Sequence, residues 1–186
     1  MKIYFCGAHS SGKSTLTRYV SEKYKLPIIT EAARMILSER ELNIDSLRYN
    51  MDLVDDYQTN VFNRQLEEEN KKQSFVSDRS FDCLAYSCQH SNTFSTLLNS
   101  KEFKEYLKVL KDPNSIIFFV RPSKATIKQD GVRETINWDG IVAIDAMVKM
   151  LLEMHNLRYF QISVDNMQER VRLIDSVLSL CNISTK

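Results

Sequence analysis

The sequence predicts an α/β fold: a single domain over residues 1–186, in three layers, with a parallel sheet covered by helices on both faces. Three observations predict it. Short apolar runs alternate with longer amphipathic stretches along the whole chain. A polar octapeptide with two glycines, Gly7 to Ser14, separates the first apolar run from the first amphipathic stretch. The run Ile116-Ile117-Phe118-Phe119-Val120 is apolar at every position, as suits a strand buried on both faces.

Taken in order, Ile3–Cys6 reads as a strand and Ser14–Tyr24 as a helix. Leu26–Thr30 reads as the next strand, followed by helices over Glu31–Arg40 and Ser46–Asn70. A strand at Phe75–Ser77 leads into helices over Phe81–His90 and Lys101–Lys111. Ser115–Val120 and Arg158–Ser163 read as strands, each followed or preceded by the helices Ile141–His155 and Met167–Cys181. Strands joined through helices imply right-handed crossovers, with ligand-binding residues at the carboxyl ends of the strands.

Composition limits the partners. With Lys+Arg 25 against Asp+Glu 24 the formal charge is +1, so no global field draws the protein to nucleic acid or a membrane. The first apolar run has four residues, Ile3–Cys6, against the roughly 7–15 of a secretion signal. No stretch approaches the roughly 18 apolar residues of a membrane span. Cys6, Cys83, Cys88 and Cys181 form no C-x₂-C pair, and His9, His90 and His155 add no zinc-like spacing. Reduced thiols in a cytoplasmic protein are the expectation.

Gly7-Ala8-His9-Ser10-Ser11-Gly12-Lys13-Ser14 fits G-x-x-x-x-G-K-[ST], between a strand and a helix as that phosphate-binding motif requires. Its glycines let main-chain N–H groups converge on one concave site, and the helix amino terminus adds partial positive charge. Gly7 through Thr15 are thus the expected ATP-binding residues, with Lys13 reaching the β- and γ-phosphates and the Ser14 hydroxyl ligating Mg²⁺. The chain lacks Asp-x-x-Gly and Asn-Lys-x-Asp, the marks of a GTPase switch. It also lacks the Asp-Glu that ends a motor's second strand, and kinases therefore lead the P-loop classes.

Four further groups carry chemistry in this context. Asp78-Arg79-Ser80 follows a strand: Asp78 is placed to hold Mg²⁺ and Arg79 to grip phosphate oxygens, with Asp82 one turn on sharing the site. The competing reading of Asp78 is a helix cap. Glu31, at another strand end, suits a base for an acceptor hydroxyl, and Arg34, three residues on, a substrate clamp. Gln58 falls on the apolar stripe Leu47, Met51, Val54, Val61, where its amide can read a nucleobase edge or simply bond to backbone. The polar segment 121–140, with Lys124, Lys128 and Arg133, suits a lid, and Arg133 is the residue expected to reach the transferring phosphoryl group.

The order Gly7–Thr15, Thr30-Glu31-Ala32-Ala33-Arg34, Asp78-Arg79-Ser80-Phe81-Asp82, Asp130-Gly131-Val132-Arg133 resembles the ribosylnicotinamide-kinase (NadR-type) branch of P-loop kinases and, more broadly, deoxynucleoside kinases. The resemblance implies a five-stranded parallel sheet and ATP as phosphoryl donor. It also implies Glu31 near the acceptor hydroxyl, Asp78 near the metal and Arg133 in a lid. The acceptor is then a nucleoside or nucleoside monophosphate. A modified base in DNA, or a regulatory module that binds nucleotide without turnover, are the alternatives. Base, sugar and oligomeric state stay open, a homodimer included.

Overall fold

The computed structural model describes residues 1–30, 32, 36, 50–124 and 138–181. Glu31, Arg34, Arg133, most of the expected Glu31–Arg40 helix and the 125–137 portion of the expected lid lie outside the described residues.

Five strands, β1 (Lys2–Cys6), β2 (Ile28–Ile29), β3 (Phe75–Asp78), β4 (Ser115–Val120) and β5 (Phe160–Ile162), form one sheet in the order β2-β3-β1-β4-β5. Every neighbouring pair is parallel, as the helical connections demand. The described helices are α1 (Lys13–Tyr24), α2 (Met51–Asn70), α3 (Asp82–His90), α4 (Phe94–Asn99), α5 (Lys101–Leu110), α6 (Trp138–Met154) and α7 (Met167–Leu180).

Strand periodicity divides the core in two. Tyr4, Cys6, Ile117 and Phe119 point to one face and pack with α2, α3, α5 and α6 through Phe62, Leu84, Phe103 and Val148. Ile3, Phe5, Phe118 and Val120 point to the other, against Leu16 and Val20 of α1 and Ile174 and Leu178 of α7. Because β1 and β4 are covered on both sides, they are apolar and buried at every position after Lys2 and Ser115, each buried side chain contributing about 1.5–3 kcal/mol. Among the described residues, no helix is long and apolar enough to cross a membrane.

The departures from expectation are local. β2 is two residues rather than five because it is an edge: Pro27 has no N–H to give, and only its carbonyl pairs, accepting from the Val76 amide at 3.0 Å. Asn50 caps α2 by accepting from the Leu53 amide at 3.2 Å, which sets the start of this helix at Met51; Ser46, the expected start, lies outside the described residues. The six-residue α4 was not expected, since its apolar pattern is too short to show a helical period and no side chain caps it. Ser100 caps α5 (3.1 Å to the Phe103 amide) and Asn166 caps α7 (2.8 Å to the Gln168 amide), and both begin at the expected residue.

One polar cluster sits inside the larger core. Glu69 on α2, 3% exposed, accepts from Tyr4 Oη at 2.8 Å, Tyr106 Oη at 2.6 Å and Gln65 Nε2 at 2.8 Å. Gln65 also donates to Ser77 Oγ of β3 at 2.9 Å, so the cluster ties α2, α5, β1 and β3 together. Burial raises the Glu69 carboxyl above its ordinary range, and its three donors work against that shift. Tyr106→Phe is expected to cost about 1.5–3 kcal/mol in urea unfolding at neutral pH. Because the lost bond favours the ionised carboxylate, the gap between variant and wild type should narrow as pH falls and Glu69 takes up its proton. A gap independent of pH would contradict an ionised Glu69.

Candidate active site

The site begins where β1 ends. Gly7 has φ +140°, and a Cβ there would lie 2.4 Å from the Val120 carbonyl oxygen of β4, so only glycine fits. Its amide donates to Asp82 Oδ1 at 2.6 Å, while Asp82 Oδ2 accepts from the Ser80 amide at 2.8 Å. Asp82 is 0% exposed, so both oxygens are spent on backbone donors. Expected to share a ligand site, it instead fastens the start of the loop to the segment that follows β3. Two further loop residues have positive φ, Ser10 at 58° and Gly12 at 92°.

The rest of Gly7–Ser14 is held from behind. The His9 amide donates to Tyr86 Oη at 3.0 Å, and His9 Nδ1 lies 2.9 Å from the same oxygen. α1 starts at Lys13 with Gly12 at its N-cap and no side-chain cap, so its first amides are open to a partner other than a capping side chain. Lys13 is buried, and its Nζ donates to the carbonyls of Gly7 (2.8 Å) and Ala8 (2.6 Å) and to Ser11 Oγ (3.3 Å). Ser14 is half-buried in the first turn of α1 and Thr15 is exposed beside it.

β3 delivers the second element. In the sheet Asp78 pairs with Phe5, two residues before Gly7, so its carboxylate belongs to the same edge as the loop. It is the last residue of the strand and 7% exposed, not the cap of α3, which is Phe81. Arg79 adopts φ +123°, a conformation costing a non-glycine residue on the order of 1–3 kcal/mol and typical of functional turns. Its guanidinium stands over the Tyr86 ring, 5.6 Å from the centroid. Tyr86 therefore touches both His9 and Arg79, linking the two motifs.

Gln58 lies on the face of α2 that carries Gln65 and is 8% exposed. α2 runs back along β3, where Gln65 meets Ser77. Two turns earlier, Gln58 is displaced about 10 Å toward the carboxyl edge of the sheet, the edge that bears the loop. The flanks of the expected lid are also drawn in. Arg121 Nε lies 2.7 Å from Asp145 Oδ2 on α6, and the Lys124 ammonium stands 5.4 Å from the centroid of the Trp138 ring.

Several charges converge at the head of β1. Burial pushes the Cys6 thiol well up, the fields of Asp82 and Asp145 adding to that and Lys13 opposing it. Burial likewise raises Asp145, against the pull of Arg121, Lys149 and Lys13. Cys6, Cys83, Cys88 and Cys181 are all free thiols. Among the described residues no cluster of three or more His, Cys, Asp or Glu is placed to hold a metal. A hydroxyl at Ser14 and a carboxylate at Asp78 are hard oxygen donors of the sort Mg²⁺ takes from a protein while its other ligands come from phosphate and water.

Tyr86, Asp145 and Arg170 escaped the sequence reading. Asp145 and Arg170 nevertheless occupy apolar helix stripes, Ile141/Ile144/Val148/Leu152 and Met167/Val171/Ile174/Leu178, the same signal that marks Gln58. Arg170 donates to the Ser11, Val164 and Arg121 carbonyls.

A family model described as an AAA domain matches residues 2–170. No curated protein sequence matches the chain. Among solved structures, NadR protein in complex with NR is similar over 100% of this chain and 52% of that one, with TM-score 0.74 and 17% identity. Deoxyadenosine kinase from M. mycoides, with dCMP and dCDP bound, is similar over 97% of this chain and 100% of that one, with TM-score 0.68 and 17% identity. YorR protein from Bacillus subtilis, in complex with phosphorylated GDP, is similar over 97% and 95%, with TM-score 0.63 and 12% identity. At these identities the likeness is one of fold, and the fold is that of P-loop kinases, as the ordered motifs suggested.

Gly7→Ala tests the loop directly. The forced shift at Val120, added to strain of about 1–3 kcal/mol, is expected to weaken ATP binding at least about tenfold in titration calorimetry. Wild-type affinity in this variant would mean that the loop does not use the conformation described.

Proposed function

The chain belongs to the AAA-domain family, and we propose that within it this protein is an ATP- and Mg²⁺-dependent phosphotransferase acting on a nucleoside or nucleoside monophosphate. One observation carries the reading: Asp82 clips the phosphate loop to the strand-end segment Asp78-Arg79-Ser80, so anion-binding amides and an acid–arginine pair share one sheet edge. The strand-end acid is followed by Arg79 and not by a glutamate that would activate water, which favours transfer over hydrolysis.

In this reading the acceptor oxygen forms a bond to the γ-phosphorus as the bond to the β–γ bridging oxygen breaks, and ADP leaves. The acceptor's proton passes to Glu31. Lys13 and the loop amides other than those of Gly7 and His9 stabilise the charge that develops on the phosphoryl oxygens, the largest expected contribution to rate. Ser14 and Asp78 are the residues that would hold Mg²⁺, which when bound neutralises phosphate charge. Arg34 and Arg79 orient the acceptor, Gln58 addresses its base from α2, and Arg133 closes from the 121–140 segment. Asp82 moves from ligand contact to support of the loop. The fold likeness to a deoxyadenosine kinase and to NadR supports a small acceptor, and the setting is cytoplasmic nucleotide metabolism.

Incubation with γ-labelled ATP and a panel of nucleosides, monophosphates and DNA containing modified bases is expected to label a small molecule. Lys13→Ala should lower that transfer by about 10²–10³-fold. Label recovered only as inorganic phosphate would make the protein a hydrolase, and label in DNA would replace the acceptor class. Full turnover by Lys13→Ala would remove the mechanism.

A further inference from the structure

We infer that Arg170 is a positioning residue for the nucleotide: it sets the direction of the Gly12 amide by holding the Ser11 carbonyl from behind the phosphate loop. The inference rests on the loop binding phosphate, as proposed above, but not on the identity of any acceptor.

Arg170, on the first turns of α7, is 0% exposed and is the largest fully buried side chain among the described residues. Its guanidinium spans three separate segments. Nη1 donates to Ser11 O at 2.6 Å, Nε to Val164 O after β5 at 2.6 Å, and Nη2 to Arg121 O after β4 at 3.3 Å. No carboxylate lies within ion-pair distance of it among the described residues; burial lowers its pKa, with Asp165 giving only a weaker opposing field. A cation buried without an ion-pair partner carries a desolvation cost that its three carbonyl acceptors offset only in part. The position next to an anion-binding loop supplies the reason to keep it.

The geometry supplies the means. A trans peptide points its C=O and the following N–H in opposite directions. Once Arg170 holds the Ser11 oxygen on the outer side of the loop, the Gly12 N–H must face the inner, concave side. Gly12 has φ +92° and no side chain to resist rotation of its peptide. A Cβ at Gly12 would meet Arg170 Nη1 at 3.4 Å, which shows how closely the guanidinium backs this residue. The third contact fixes Arg121, whose own side chain pairs with Asp145, so the same cation steadies the first residue of the 121–140 segment.

Arg170→Met keeps the bulk and removes all three donors; Arg170→Lys keeps the charge and one donor direction. Calorimetric titration with MgATP is expected to show affinity at least about tenfold weaker in Arg170→Met, with Arg170→Lys between it and wild type. Where turnover is measurable, KM for ATP should rise in the same order while KM for the acceptor stays within about twofold of wild type. If Arg170→Met does not fold, the Lys variant decides: an intermediate loss of affinity supports the inference. A folded variant that binds MgATP like wild type, or donor and acceptor KM values that rise in step, overturns it. Titration reads binding without turnover, so a protein that binds ATP but phosphorylates nothing would sink the kinase reading and leave this result standing.

Discussion

The Gly7 amide and the Asp82 carboxylate, 2.6 Å apart with no access to water, form the contact on which the rest of the site depends. A buried carboxylate is tolerable only where its oxygens are bonded, and this one spends one oxygen on the loop and the other on the Ser80 amide. The loop and the turn after β3 are therefore fixed relative to each other before any ligand arrives. The close approach of Gly7 to the Val120 carbonyl adds a third fixed point, from β4. β1, β3 and β4 are the three central strands of the sheet, so the site rests on strands flanked on both edges.

That placement also explains where polar groups are allowed inside. The two cores are separated by strands whose alternate residues face α1 and α7 on one side and α2, α3, α5 and α6 on the other. Among the described residues, the buried charged side chains gather in two places. The Glu69 cluster is satisfied wholly by protein donors and serves to register α2 against the sheet. The second place is the carboxyl edge, where Asp82, Asp145, Lys13 and Arg170 surround the head of β1 and the loop. There the polar groups are arranged around the backbone of the loop, the segment to which the proposed function assigns the phosphate.

Much of this was legible in the sequence, and the exceptions have physical reasons. β4, α5 and α7 were found at or within a residue of their ends because a continuous apolar run and two side-chain caps mark them locally. α4 was missed because six residues cannot display a helical period. At the site, Lys13 and Asp78 were legible as parts of a motif and a strand end. Asp82 was legible as an important acid, but its task depends on the Gly7 amide 75 residues away, a contact no spacing encodes. Tyr86 was unreadable for the same reason, its hydroxyl meeting His9 across 77 residues. Arg170 and Asp145 belong to a middle class: a charge on an apolar helix stripe is visible in the sequence, while its partner is not.

The pattern of supports bears on how the loop would receive a phosphate. Three backbone groups of the loop are held from outside its concave face: the Gly7 amide by Asp82, the His9 amide by Tyr86 and the Ser11 carbonyl by Arg170. The peptide groups between them have little freedom to turn away. Lys13 is different, since its ammonium donates to carbonyls and a hydroxyl of the loop itself, and a phosphate oxygen would have to replace some of these partners. Bonds from an ammonium to a charged oxygen are roughly twice as strong as bonds to neutral acceptors, so that exchange runs toward the ligand. Under the proposed function the Lys13 side chain would have to exchange partners, while the Gly7 and His9 amides and the Ser11 carbonyl are already held. In such a preorganised site, donors already in place stabilise developing charge without further rearrangement at the moment of reaction.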